Sequence, residues 1–405
     1  MKNIMLLAAG IFTITQCLSQ SCLPEGIYFS LQTEIDNFQA NYPNCTEIEG
    51  EVKISGEDIV NLNGLEIITS IGGSLMIYSN PLLKDLNGLN NLTLINGDLW
   101  IDENDSLTNL IGLENVTHIN GLLRIGFNHS LSSLQGINNL TSVTDQLFIF
   151  DNHALLDINC LTSLNYIGNN VEIMNCSSLS NLEGLNNLDS IGGRLFLSNN
   201  DLLTNLSGLN NLNYIGTGLI IQHNLSLTSI SNLDNLLSIG GNLWIYDNSS
   251  LTDLTGLQNI NSGSIDSLYI IGNSLLTMCN ARSICDYLAS PNGTIEIHDN
   301  ATGCDSQEEV EASCLNGFNE LTDLASQISI YPNPSSKQIT IEILNKSTPV
   351  DCMYLTIYNI TGQEIINRQI TEPITVLEIM SLNAGVYIVK TVNQDNVLVK
   401  KILKN

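Results

Sequence analysis

Between residues 62 and 257 apolar and polar positions repeat with a fixed period of 24. The pairs Gly64-Leu65, Gly88-Leu89, Gly112-Leu113, Gly136-Ile137, Cys160-Leu161, Gly184-Leu185, Gly208-Leu209, Asn232-Leu233 and Gly256-Leu257 fall on one column without an insertion. A period of this length predicts a solenoid, in which each unit buries its apolar side against its neighbours. Within the unit Leu75 to Gly97, Leu75 and Ile77 alternate with Met76 and Tyr78. That period of two predicts a strand with one face inward. Leu83, Leu86, Leu89, Leu92 and Ile95 then supply inward positions at spacings of three. Strands stacked at about 4.8 Å make nine such coils a rod roughly 40 Å long.

A polar column runs through the apolar pattern as Asn80, Asn104, Asn128, Asn152, Cys176, Asn200, Asn224 and Asn248. An amide carries both donors and an acceptor, so a buried column of them can satisfy the backbone groups that each bend leaves unpaired. Cys176 interrupts it with a weak donor and is expected to be a structural thiol; the alternative is a disulfide with Cys160, which sits elsewhere on the coil. Asn104, Asn128, Asn224 and Asn248 also lie in Asn-x-Ser/Thr sequons. As inward ladder residues, they read as products of the repeat rather than as glycan sites.

The outward strand positions form two columns. One runs Met76, Trp100, Arg124, Phe148, Glu172, Phe196, Ile220, Trp244, Tyr269, and the other Tyr78, Asp102, Gly126, Phe150, Met174, Ser198, Gln222, Tyr246, Ile271. Eight of these eighteen residues are aromatic against 5% for the chain, and both tryptophans are among them. On an open sheet they make a strip suited to stacking on sugar rings or anchoring a protein partner. The candidate ligand-binding residues are Met76, Tyr78, Trp100, Phe148, Phe150, Phe196, Trp244, Tyr246 and Tyr269. Aromatic residues favour strands in any case, and a parallel sheet is often covered on both faces, which would make the strip core.

The unit Leu-x-Ile-x-x-Asn-x-x-Leu-x-x-Leu-x-Gly-Leu-x-x-Leu-x-x-Ile resembles the leucine-rich repeat superfamily. Its Gly-Leu step and its Ile-Gly-Gly or Ile-Asn-Gly end look most like receptor L domains. The resemblance, over residues 48–278, implies a right-handed parallel β-helix solenoid of three sides and a binding module, without naming a ligand.

Composition adds location. The 405 residues hold 41 Asp plus Glu against 13 Lys plus Arg, a net charge of -28. Such a field repels phosphate and anionic lipid, which argues against nucleic-acid or membrane-surface partners. Residues 1–20 have a basic start, an apolar stretch Ile4 to Ile14 and a polar end, the pattern of a secretory signal peptide. The stretch is too short for a membrane anchor, and Gln16 is a poor residue to precede a lipidated Cys17. Cys22 and Cys45 bracket a predicted helix from Tyr28 to Ala40 in an N-terminal cap (21–47). Cys279, Cys285, Cys304 and Cys314 bracket a second helical region in a C-terminal cap (279–318). These six are disulfide candidates, and the four at the second cap allow three connectivities.

Beyond a linker at 319–327 the repeat is gone. Ile328 to Pro334, Gln338 to Leu344, Met353 to Ile360 and Ala384 to Val392 read as strands, and about seven short strands in under 80 residues predict a small immunoglobulin-like β-sandwich over 328–405. Tyr331-Pro332-Asn333-Pro334, Leu355 to Glu364 with Gly362-Gln363, Gly385-Val386-Tyr387 with Lys390, and Val399-Lys400-Lys401-Ile402 resemble the type A sorting domain of the type IX secretion system of Bacteroidota. This implies passage through the periplasm to the cell surface or medium, with the secretion machinery and a surface sortase as partners. The expected fold is therefore mainly β: a solenoid with disulfide-bearing helical caps, followed by the sandwich.

Chemistry is sparse. His129 and His153 lie one period apart with Asp105 one period before, so the three stack on consecutive coils, where two imidazoles and a carboxylate could ligate a metal. The column continues as Ser177, Asp201, Leu225 and Ser249, which reads as a solvated bend instead. No zinc-protease, nucleophile-elbow, phosphate-loop or calcium-loop motif occurs. No catalytic residue, metal or cofactor is expected. The expected function is an exported binding or adhesion protein with an extracellular protein or glycan ligand; the alternatives are an exported carbohydrate-active or other hydrolase and a structural spacer. The acidic excess belongs to the cargo: residues 21–319 hold 33 acidic against 5 basic residues, residues 320–405 hold 8 against 7. That leaves the aromatic strip as an uncharged line on an anionic rod.

Overall fold

Each 24-residue unit closes one coil, and the strands at its start stack into one continuous parallel sheet. The computed structural model describes residues 20–317, 328–343, 353–359, 363–370, 372, 374–393 and 396–405. Nearly all of the predicted signal peptide, the linker and Gly362 lie outside them. The chain divides into two compact units at Glu311 and Ala312.

In the first unit, the sheet has twelve strands in chain order, from Ile27–Phe29 and Val52–Ile54 to Ile265–Ile271 and Ile295–His298. Register follows the period, Leu99 opposite Leu123 and Leu123 opposite Leu147. A second side is built from very short strands such as Ser70–Ile71, Leu94–Ile95 and His118–Ile119, stacked in sheets of seven and three. Among the described residues the third side has no strands; several coils there make single 3₁₀ turns such as Glu183–Leu185 and Thr255–Leu257. Leu75, Ile77, Leu83, Leu86, Leu89, Leu92 and Ile95 are all buried, as are their equivalents in the following coils. Apolar burial is thus renewed at every turn of the chain, the main favourable term for a stacked repeat.

Asparagine holds the bends. Asn104, fully buried, donates through Nδ2 to the carbonyls of Ile77 and Asp102 at 2.9 Å each, and to Oδ1 of Asn128 at 3.2 Å. Its own Oδ1 accepts from the backbone N–H and Nδ2 of Asn80. The same pattern passes up the column, interrupted at Cys176, and reaches Asn273 and Asn300, beyond the strict period, because the last coils lengthen to separations of 25 and 27. The residue before each ladder position, among them Ser79, Glu103, Phe127 and His223, sits in the left-handed region, at φ of 51° to 57° apart from Gly272 at 73°. A second set of amides closes turns on the third side, where Asn109 Oδ1 accepts from the N–H of Ile111, and Asn181 Oδ1 from that of Glu183. At Gly112, with φ of 119°, a Cβ would meet the Leu86 carbonyl at 2.1 Å, so the Gly-Leu column is held by the coil beneath it.

The caps differ from expectation. Tyr28 lies in a strand, not a helix; two short helices, Gln32–Asp36 and Phe38–Asn41, follow it. The strand forms because Ile27–Phe29 pairs with Val52–Ile54 and so begins the long sheet, with Phe29 against Phe38 at 5.7 Å beneath it. The sheet thus runs past the predicted 48–278 at both ends. Cys22 is bonded to Cys45 and Cys279 to Cys304, each bridging about one coil of sequence, and Cys285 and Cys314 are disulfide-bonded as well. Cys160 and Cys176 are free thiols.

In the second unit, Ile328–Tyr331, Gln338–Ile343 and Ile374–Glu378 form one antiparallel sheet, and Glu364–Ile370, Met353–Asn359, Gly385–Asn393 and Asn396–Lys404 another. Both contribute to a single core that includes Ile339, Ile341, Leu355, Ile357, Leu377 and Val389.

Candidate functional site

The outward columns are in register on the long sheet: Met76, Trp100, Arg124, Phe148, Glu172, Phe196, Ile220, Trp244 and Tyr269 stand opposite one another strand by strand. Tyr78 to Ile271 do the same two residues on. Met76, Tyr78, Trp100, Phe148, Phe196, Trp244, Tyr246 and Tyr269 are partly buried, because strand spacing lets each ring lean on the next coil. Phe150 is an exception: it is only 5% exposed, stacked on Phe148 at 4.2 Å and edge-on to Phe127 at 5.0 Å. It lies over Gly126, where a Cβ would come within 2.2 Å of the ring. Strict alternation places it outward, but the absent side chain at Gly126 lets the ring fold down, so Phe150 is packing.

The strip is also not uncharged. Arg124 places its guanidinium carbon 5.4 Å from the Trp100 ring, 5.4 Å from Phe148 and 4.4 Å from Phe150, and its Nε donates to Asp102 Oδ2 at 2.5 Å. Asp102 is buried, and that burial pushes its carboxyl above the usual range while the Arg124 hydrogen bond and charge pull it down. Further along, Arg194 donates through Nε and Nη2 to Glu172 Oε1 at 2.9 and 2.7 Å, with its guanidinium 5.5 Å from the Phe196 ring. Beyond Tyr78 the strip's rings fall into three groups, and two of them, Trp100 with Phe148 and Phe150, and Phe196, therefore carry a cation of the chain itself.

The third group opens into a cavity of about 340 Å³ lined by Gln222, His223, Trp244, Tyr246, Tyr269, Ile271 and Glu296. Trp244 and Tyr269 cross at 69° with centroids 5.2 Å apart, and His223 faces Asp247 at 3.5 Å. Nε1 of both Trp100 and Trp244 is inaccessible and without a partner, so the indoles turn their N–H edges inward. Glu296 was missed by the strip pattern because the coils after Tyr246 exceed 24 residues; its register with Tyr269 puts it in the same column.

His129 and His153 stack in parallel at 5.7 Å, with His129 Nε2 4.0 Å from Asp105. Among the described residues no cluster of three His, Cys, Asp or Glu side chains is arranged to hold a metal ion. The four sequon asparagines are fully buried.

In the second unit, Tyr331 is 44% exposed and donates its hydroxyl to Glu342. Pro332 and Pro334 are exposed beside it, and Asn333 anchors the turn: Nδ2 donates to the Lys401 carbonyl at 2.9 Å and Oδ1 accepts from the N–H of Leu403 at 2.8 Å. Gln363 donates its backbone N–H to Asn359 Oδ1 at 2.9 Å, and its carbonyl accepts from the N–H of Asn359. Tyr387 is buried with its hydroxyl on the Asn383 carbonyl, and Gly385 and Lys390 lie on the same strand.

Residues 329–405 match the family model of the secretion system C-terminal sorting domain, and residues 44–111 match that of the receptor L domain. Neither family is catalytic. A search of curated proteins finds no match to the chain. The sorting domain marks the protein for export by type IX secretion, to the cell surface or the medium. Among the described residues no helix is long and apolar enough to cross a membrane.

Proposed function

We propose that the exported cargo is a non-enzymatic binding or adhesion module that recognises an extracellular protein or glycan through the outer face of its long sheet. On this reading residues 1–20 direct the chain to the periplasm, the secretion machinery recognises the sorting domain, and a surface sortase removes it. One observation carries the binding reading: the aromatic strip ends in a cavity lined by Trp244, Tyr246 and Tyr269 rather than in packed core. Aromatic side chains around a concavity are the usual anchor of recognition sites. The coils are nearly uniform in length and supply little loop material for an enzyme cleft.

The test is a binding screen of the purified protein against surface glycans and extracellular proteins, beside a Trp244→Ala, Tyr269→Ala double variant. A ligand held by the parent and lost, by at least tenfold, in the variant supports the reading. Ligands bound equally well by both remove the strip from the site, and absence of any ligand favours a structural spacer.

A further inference from the structure

Cation, ring face and carboxylate come together twice along the strip. Arg124 lies over Trp100, Phe148 and Phe150 with Asp102 as its counter-ion, and Arg194 lies by Phe196 with Glu172. The third group has the rings, Trp244, Tyr246 and Tyr269, and a carboxylate, Glu296, around its cavity, but among the described residues no lysine or arginine lines it. Resting on the reading of the strip as the binding surface, we propose that this cavity receives an arginine side chain of a partner protein.

Four features favour that occupant. The sheet's repeat already sets rings and carboxylates at spacings that hold a guanidinium, since its own two arginines occupy such settings. The indole of Trp244 turns its N–H edge inward, so its π-face, the part that attracts cations, is what it can offer a ligand. Glu296 is exposed and acidic, His223 is matched by Asp247, and residues 21–319 hold 33 acidic against 5 basic residues, so the field around the cavity attracts cations. Finally, Glu296, the Gln222 amide oxygen and the Tyr246 hydroxyl are acceptors suited to the planar five-donor fork of a guanidinium. Lysine, a compact and more strongly hydrated charge, fits rings and carboxylate less well. A neutral sugar would use the rings but not the charge.

The test uses the full chain carrying Trp100→Phe, so that indole fluorescence reports Trp244. A hexapeptide of alternating arginine and glycine is titrated beside its lysine and citrulline counterparts and a neutral hexasaccharide. Expected are quenching by the arginine peptide, affinity at least tenfold above the lysine peptide, no measurable binding of citrulline, and weakening on added salt. Glu296→Gln, at an exposed position that leaves the fold alone, should weaken arginine binding about tenfold. Equal binding of arginine and citrulline peptides, or an unchanged affinity in Glu296→Gln, overturns the proposal. Titration calorimetry reads the Trp244→Ala variant, which has no indole left to report: binding of the hexasaccharide alone, lost in Trp244→Ala, overturns the proposal too while keeping the strip as a binding surface, and no probe sensitive to Trp244→Ala sinks both.

Discussion

Arg124 Nε donates to Asp102 Oδ2 at 2.5 Å, joining neighbouring strands across the face of the long sheet. Burial holds the Asp102 carboxyl above its ordinary value of 3.8, and the guanidinium works against that rise. In Arg124→Ala the carboxylate is left buried without its counter-charge, at a cost of about 2–3 kcal/mol near neutral pH. Its pKa climbs further, so the folded variant holds a proton that the unfolded chain releases. Stability falls with rising pH wherever the folded state binds more protons, so the gap to the parent should narrow as pH drops through the folded pKa. Thermal unfolding of both proteins from about pH 7.5 to about pH 4.5 checks the sign; a gap that widens on acidification refutes it.

Asn104→Ala strips the Ile77 and Asp102 carbonyls of a donor and the Asn80 N–H of its acceptor, all inside the coil stack. A loss of about 3 kcal/mol is expected from several buried groups orphaned together. Asn91→Ala, which removes one exposed bond to the Glu66 carbonyl, should cost about 0.5 kcal/mol or less. Equal denaturant midpoint shifts for the two variants would show that the inner ladder has no special weight.

At Cys176 the ladder keeps a backbone donor to Asn200 but offers only a thiol to the Met174 carbonyl. Neighbouring ladder amides reach the carbonyls of Ile125 and Ile173, one coil away. Cys176→Asn supplies the corresponding donor toward Ile149 and should stabilise the protein by about 1 kcal/mol, read as a higher unfolding midpoint. A lower midpoint would mean that the cavity there is shaped for sulfur.

Burial also pushes the Cys176 thiol up to about 12, so it stays protonated and shielded at neutral pH. Alkylation followed by peptide mapping should label partly exposed Cys160 in the native protein and Cys176 only after denaturation. Native labelling of Cys176 would contradict the closed ladder.

In the sorting domain, Asn333 clips the Tyr331 to Pro334 turn to the carbonyl of Lys401 and the N–H of Leu403. Asn333→Ala loses both bonds, for about 1–2 kcal/mol. Faster limited proteolysis of the C-terminal region and reduced surface display are the expected readouts. Asn333→Asp keeps the acceptor and should fall between the two; if it matches the alanine variant, the Leu403 bond contributes nothing.

The period of 24, the inward leucines, the asparagine column and four of the second unit's strands could all be read before any coordinates. Each is a local or strictly periodic signal: a strand shows its faces at period two, and a stacked coil repeats its chemistry at the same column. The cap strand at Ile27–Phe29, the disulfide partners and the membership of Glu296 could not, because they depend on coils that depart from the period. The division of the strip was equally hidden. Whether an outward ring packs, as Phe150 does over Gly126, carries an arginine, as Trp100 does, or borders a cavity, as Trp244 does, depends on side chains reaching across neighbouring coils. The sequence by itself determined which residues face outward; only the tertiary structure decided which of those faces the protein fills for itself, because that turns on side-chain directions and strand spacing that no column of letters contains.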